Sequence, residues 1–124
     1  MEPTPSPKLA PCLVAEDARG LIGFIERAVG GHLTFEATDP EGRIGHAEVR
    51  IADGVVMIGE KPPGRNPFPA MLHIYVDDVD AAFRKALSAG ATSVREPGDS
   101  GDGRRRGGVR DPWGNEWWFS APAK

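Results

Sequence analysis

The strongest constraint on this fold is a pattern that occurs twice. A strand, a helix and three more strands can be traced before a proline-rich segment and again after it. In the first copy, Leu9 to Ala15 is an apolar run of strand length, and Glu16-Asp17 offers a helix N-cap. Leu21, Phe24, Ile25, Ala28 and Val29 recur at helical spacing until Gly30-Gly31 stops the helix. His32 to Thr38 and Ile44 to Ile51 alternate like strands around the turn Asp39-Pro40-Glu41-Gly42, and Asp53-Gly54 turns the chain into Val55 to Ile58. In the second copy, Met71 to Val76 is a strand and Asp78 or Asp80 caps a helix. Val79, Phe83, Ala86 and Leu87 form that helix's apolar stripe, and Gly90 ends it. Thr92 to Arg95 reads as a short strand, followed by a Gly-rich loop and a closing hairpin from Gly107 to Ser120. Between the copies, residues 61 to 69 hold four prolines in nine positions, which suits a linker and not a sheet interior.

A βαβββ unit has one helix for four strands, so the helix covers only one face of its sheet. The other face must meet a second sheet or serve as a binding surface. The expected architecture is therefore α+β: two βαβββ modules forming curved mixed sheets around a cavity. Module one spans 9–60, the linker 61–69 and module two 70–121, within a single domain 9–124, while residues 1–8 read as a disordered tail. The two hairpins match position by position, Glu48 to Met57 against Val109 to Trp118. In the second, Asp111-Pro112-Trp113-Gly114-Asn115 has tight-turn chemistry. Asp accepts hydrogen bonds from the backbone that follows it, Pro presets φ, and Gly and Asn tolerate positive φ.

With 124 residues, 40% of them hydrophobic, the chain has enough apolar material for a core. Its net charge of −3 gives no electrostatic reason to expect nucleic acid or membrane as partner. The single cysteine, Cys12, excludes an intrachain disulfide and suits a reducing cytoplasm. The polar, proline-rich start lacks the apolar core of a signal peptide, and no apolar run approaches bilayer length. A cytoplasmic protein is expected.

Three segments carry a family resemblance: Gly45-His46-Ala47-Glu48-Val49-Arg50-Ile51, His73-Ile74-Tyr75-Val76-Asp77-Asp78-Val79-Asp80, and Arg110-Asp111-Pro112-Trp113-Gly114-Asn115. In them the chain resembles the vicinal oxygen chelate superfamily, which includes glyoxalase I, extradiol dioxygenases and bleomycin-resistance proteins. It looks most like the compact glyoxalase-like bacterial branch. The resemblance runs from Leu9 to Ser120 and is specific for fold, not activity. It implies four cavity-facing metal-ligand positions, which fall here on Ala10, Glu48, Met71 and Trp118. Only Glu48 suits a hard or borderline divalent cation. The resemblance therefore implies a lost metal site and no cofactor. It also implies a homodimer, to which the open sheet edges of two short modules add weight. The family's Gly-Asp-Arg signature is only approximated, by Gly101-Asp102-Gly103-Arg104.

The remaining candidates follow from strand parity. His73 shares a face with Met71 and Tyr75, and His46 shares one with Glu48 and Arg50. A metal site rebuilt from His46, Glu48 and His73 is the alternative to an absent one. Glu48, in a half-apolar cavity, would act as a general base with a raised pKa, or else pair with Arg50, His46 or a turn backbone. Trp118, Tyr75, Met57 and Met71 would make a flat, polarisable wall for planar or amphipathic ligands. Trp117 and Phe119 have the opposite parity and belong to the core. The run Arg104-Arg105-Arg106 reads as a solvated loop, with Arg106 expected by alternation to turn inward at the start of the following strand, where it could clamp a carboxylate or phosphate. Cys12 reads as a small buried thiol, and His32 as a surface or strand-start residue.

Three functions remain open, the blandest being a regulatory or assembly domain without a private ligand. The leading one is metal-independent binding of an aromatic or amphipathic small molecule, with Trp118, Tyr75, His73, Met57, Met71, Glu48 and Arg106 as ligand-binding residues. Resistance to or sequestration of a toxic compound is one version of it. The alternative is a lyase or isomerase of glyoxalase type. There Glu48 would shuttle a proton with His46 or His73 as its partner, and a divalent metal would take part only if the site is rebuilt.

Overall fold

The computed structural model describes residues 9–61 and 66–123. The expected tail (1–8) and the middle of the expected linker (62–65) lie outside them. The chain divides into two compact units, Met1–Phe68 and Pro69–Lys124. No helix among the described residues is long and apolar enough to cross a membrane.

The first unit contains β1 (Cys12–Ala15), α1 (Ala18–Val29), β2 (His32–Thr38), β3 (Ile44–Ile51) and β4 (Gly54–Glu60). Asp17 caps α1 by accepting the Gly20 N–H at 3.0 Å, and Gly30 ends it in the left-handed region at φ 70°. The strand order is β1-β4-β3-β2, with β1 parallel to β4 and the other pairs antiparallel. Leu21, Phe24, Ile25 and Ala28 of α1 are buried, as are Leu13, Ala47, Val49 and Ile58 of the sheet. Each such side chain, if large, contributes about 1.5–3 kcal/mol relative to exposure.

The second unit repeats the plan with β5 (Met71–Tyr75), α2 (Val79–Ser88), β6 (Thr92–Asp99), β7 (Arg104–Arg110) and β8 (Glu116–Pro122), in the order β5-β8-β7-β6. Here β5 is parallel to β8. Asp78, not Asp80, caps α2 by accepting the Ala81 N–H at 3.0 Å. Val79, Phe83 and Ala86 are buried, whereas Leu87 is exposed at the margin of the expected stripe. The α+β reading of two βαβββ modules is thus the observed fold, as two mixed four-stranded sheets with one helix each.

Three local expectations need correction. β6 is not a short strand: it runs on through Pro97 to Asp99. A proline is tolerated there because β6 is an edge strand whose pairing with β7 is already interrupted by register shifts. The arginine run is not in a loop but opens β7, so its members alternate between the two sheet faces. Finally, the β3–β4 turn consists of Ala52 and Asp53, because Gly54 already pairs with Ile51. Ala52 takes the positive φ of 53° that such a two-residue turn requires.

The register also revises the match between the hairpins. Cys12 pairs with Met57 and His73 with Trp118, so Met57 and Trp118 are counterparts. Across the hairpins, however, Met57 faces Glu48 while Trp118 faces Gly108. Glu48 therefore corresponds to Gly108, not Val109. The cause is turn length. The first turn has two residues between Ile51 and Gly54, whereas three residues separate Asp111 from Asn115, whose backbones are bonded at 2.9 Å.

That second turn is held by Asp111, which is 3% exposed. Its Oδ1 accepts the backbone N–H groups of Trp113 (2.9 Å) and Asn115 (3.0 Å). Its Oδ2 accepts Asn115 Nδ2 (3.0 Å) and the indole Nε1–H of fully buried Trp117 (2.8 Å). Replacing Asp111 with Ala strands several buried donors at once. We expect Asp111→Ala to destabilise the chain by about 2–4 kcal/mol in urea unfolding, since each buried unsatisfied donor costs about 1–3 kcal/mol. Unchanged stability would show that the turn is held by something else.

Candidate functional site

In each unit the helix occupies one sheet face, and strand parity puts every other residue on the opposite, helix-free face. In the first unit Ala47, Val49 and Ile51 belong to the buried face, so His46, Glu48 and Arg50 rise from the other. Met57 is the cross-strand neighbour of Glu48, and Cys12 that of Met57. Glu48 is only 6% exposed, and its Oε2 lies 2.9 Å from His46 Nε2. The His46 ring leans against Phe35, with centroids 5.9 Å apart and planes tilted by 51°. Of the partners expected for Glu48, the structure thus supplies His46. This dyad can hold or pass one proton between a carboxylate oxygen and an imidazole nitrogen, which is the basis of acid–base work.

Cys12 is exposed rather than buried, because it lies on the helix-free side of an edge strand. Partial burial of its sulfur still pushes the thiol pKa above the usual value, which leaves less thiolate and a weaker nucleophile. His32 begins β2 and is exposed, as expected.

The helix-free face of the second unit is aromatic and basic. His73 and Trp118 are neighbours on β5 and β8, and their rings stack with centroids 6.2 Å apart and planes 11° from parallel. The indole lies flat on the backbone of Gly108, where any Cβ would come within 2.7 Å of Trp118 Cδ2. In this unit the tryptophan ring thus covers the position from which Glu48 rises in the first. The indole N–H donates to Glu116 Oε1 at 3.0 Å, and Arg110 Nη2 donates to Glu116 Oε2 at 3.0 Å. These two donors, the indole above all, hold the Glu116 carboxyl below its usual pKa. Met71 and Tyr75 stand 62% and 68% exposed, unusual for large apolar side chains on a structured strand. The guanidinium of Arg104 lies over the Tyr75 ring, 5.3 Å from its centroid.

Alternation sends Arg105 to the helix side, where its Nε and Nη2 grip both Asp80 carboxylate oxygens at 2.8 Å. That pairing raises the Arg105 pKa. Arg106 returns to the helix-free face half-buried, with its Nη1 donating to Asp102 Oδ2 at 2.8 Å. The hydrogen bond from Arg106 is the main reason the Asp102 carboxyl lies below the usual range.

The structure therefore assembles the sequence candidates as two sets. His46, Glu48 and Met57 share one face, and Met71, His73, Tyr75, Arg106 and Trp118 share the other. Sequence reasoning missed Gly108, Glu116 and Ser120. A glycine pair inside a strand signals a close approach, so Gly107-Gly108 held a readable hint for the first. Glu116 and Ser120 share the parity of Trp118, which is the signal that would have found them.

The metal-ligand positions implied by the resemblance do not fit a hard divalent cation. Ala10 has no donor atom, and the Trp118 indole nitrogen, whose N–H donates to Glu116, has no lone pair to offer a metal. Among the described residues no three His, Cys, Asp or Glu side chains are grouped so as to hold a metal ion.

A family model of the Glyoxalase/Bleomycin resistance protein/Dioxygenase superfamily matches residues 9–119. The chain belongs to that superfamily. It is 36% identical, over 129 residues, to an uncharacterised protein of Mycobacterium bovis, covering 95% of this chain and 85% of that protein. Among solved structures it is similar to TioX from Micromonospora sp. ML1, with a TM-score of 0.80 and 25% identity over 95% of this chain and 100% of that one. A glyoxalase/bleomycin resistance protein/dioxygenase from Nocardioides shares the fold with a TM-score of 0.66 at 18% identity, covering 98% of this chain and 87% of that one.

The placement of Glu116 predicts a pH response of Trp118. A folded-state pKa below the unfolded value gives a contribution that is present above the unfolded pKa and lost as pH falls through the folded one. Tryptophan emission should therefore hold constant from neutral pH through the ordinary glutamate range and change only below it. In Glu116→Gln that acid step should vanish. A transition near neutrality that persists in Glu116→Gln would contradict the assignment.

Proposed function

We propose that this superfamily member binds a small, flat organic molecule without a metal, in a resistance or sequestration role, and acts as a homodimer. The observation that carries the reading is the helix-free face of the second unit. There Trp118, stacked with His73, stands beside two strongly exposed apolar residues, Met71 and Tyr75. Flat rings gain area burial and stacking energy on such a surface, and thioethers adapt to irregular shapes. Sequestration requires no catalytic group, which agrees with a donor set poor in metal ligands. The homodimer is supported by open edges on both sheets, β1 and β2 in one and β5 and β6 in the other. Light scattering giving the mass of a single chain would remove the dimer from the proposal.

Calorimetric titration with a panel of neutral and charged polycyclic aromatics, with and without EDTA, tests the binding. Saturable binding unaffected by EDTA is expected. Trp118→Ala should weaken it at least about tenfold, because buried aromatic anchors typically carry 2 kcal/mol or more of such contacts. Stoichiometric uptake of Ni, Zn or Fe, abolished by Glu48→Ala, would sink the metal-independent reading.

A second reading rests on the His46–Glu48 dyad, a buried carboxylate 2.9 Å from an imidazole. It makes the protein a lyase or isomerase in which Glu48 takes a carbon-bound proton and His46 orients or relays it. NMR-detected exchange of substrate protons with deuterated solvent, over a panel of α-hydroxy carbonyl compounds, distinguishes the two. Exchange that falls at least about 100-fold in Glu48→Gln would favour the enzyme, in line with the usual worth of a general base. Exchange equal in both proteins would dismiss it.

A further inference from the structure

The helix-free face of the second unit carries two polar groups that the described fold does not use. The Nε of Arg106 and the hydroxyl of Ser120 are both buried, and neither has a hydrogen-bond partner among the described residues. The two residues are cross-strand partners on β7 and β8, so their side chains rise side by side. Ser120 is 1% exposed, which makes an unmade hydrogen bond there costly. Arg106 gives Nη1 to Asp102, which leaves its Nε edge. On the adjacent Arg105 the equivalent edge holds a carboxylate in a two-pronged pair, both contacts at 2.8 Å. Arg106 thus keeps unspent the edge whose geometry best matches a carboxylate.

The surroundings specify what such a carboxylate belongs to. Tyr75 is the neighbour of Ser120 on β5, and Trp118 precedes it by two residues on the same face. Arg104 on β7 reaches the Tyr75 ring on β5, and β8 lies between those strands. Its side chain therefore bridges β8 close to Ser120. The charge on this face favours an anion. Arg95, Arg104, Arg106 and Arg110 share it by register, and Asp102 and Glu116 each pair with one of them. The face remains net positive on a chain whose overall charge is −3.

We propose that this face binds a planar organic anion, an aromatic carboxylic acid. Its carboxylate is held by Arg106 and the Ser120 hydroxyl, and its ring lies against Trp118 and Tyr75. The inference rests on the small-molecule reading above and adds the charge and the orientation of the ligand.

Calorimetric titration of the full chain with 2-naphthoate and with its uncharged analogue 2-naphthamide separates the two claims. The acid should bind at least about tenfold tighter than the amide at low salt, as expected for a charge-assisted pair. Arg106→Gln and Ser120→Ala should each narrow that gap, because the charged acid loses more affinity than the amide. Ser120→Ala removes a buried hydroxyl that has no partner, so it should fold at least as well as the parent and serves as the test if Arg106→Gln does not fold. Equal affinity for acid and amide overturns the anion assignment while leaving small-molecule binding intact. An acid preference that survives in Ser120→Ala and in every folded Arg106 variant overturns the location. Failure of both naphthalene compounds, alongside binding of others in the aromatic panel, overturns the ligand class alone.

Discussion

The carboxylate of Asp111 draws together the turn, the core and the entry to β5. It accepts two backbone N–H groups of its own turn, the amide of Asn115 and the indole N–H of Trp117. Asn115 in turn accepts the Ala70 N–H at 3.0 Å, and Glu116 N–H reaches Ala70 O at 2.9 Å. β5 is thereby set in register beside β8 before its first residue. The stack of His73 on Trp118 and the adjacency of Tyr75 to Ser120 both depend on that register. A buried carboxylate is tolerated here because its oxygens are met by several donors, and the same pairing makes its loss costly.

A difference of one residue in turn length separates the chemistry of the two units. With two turn residues, β3 brings Glu48 opposite Met57, and an acid is buried against His46. With three, β7 brings Gly108 opposite Trp118, and the indole takes up the space. One plan thus yields a proton-holding pair in the first unit and an aromatic, basic surface in the second. Side-chain size enforces the division, since a Cβ on residue 108 and the Trp118 ring cannot share one place.

Much of this was legible beforehand, and the reasons are physical. Helix boundaries follow from caps and apolar spacing, so Asp17, Gly30 and the stripe of α1 were readable directly. Strand parity is local and exact in period, so Trp117 and Phe119 fell to the core face and Trp118 to the other. In sequence the arginine run resembles a loop, because glycines flank three like charges. Pairing with β6 and β8 makes it a strand. The hairpin match failed by one position because strand patterns do not encode how many residues a turn consumes.

Local pattern alone carries the repeat, the α+β class, the cap of α1 and the faces of most strands, because each depends on neighbours within a few positions. Long-range strand pairing is what rests Trp118 on Gly108, brings His46 to Glu48, and stands Arg106 and Ser120 side by side with unspent polar atoms. Those facts depend on strand pairing between distant segments, and a shift of one residue would exchange every neighbour.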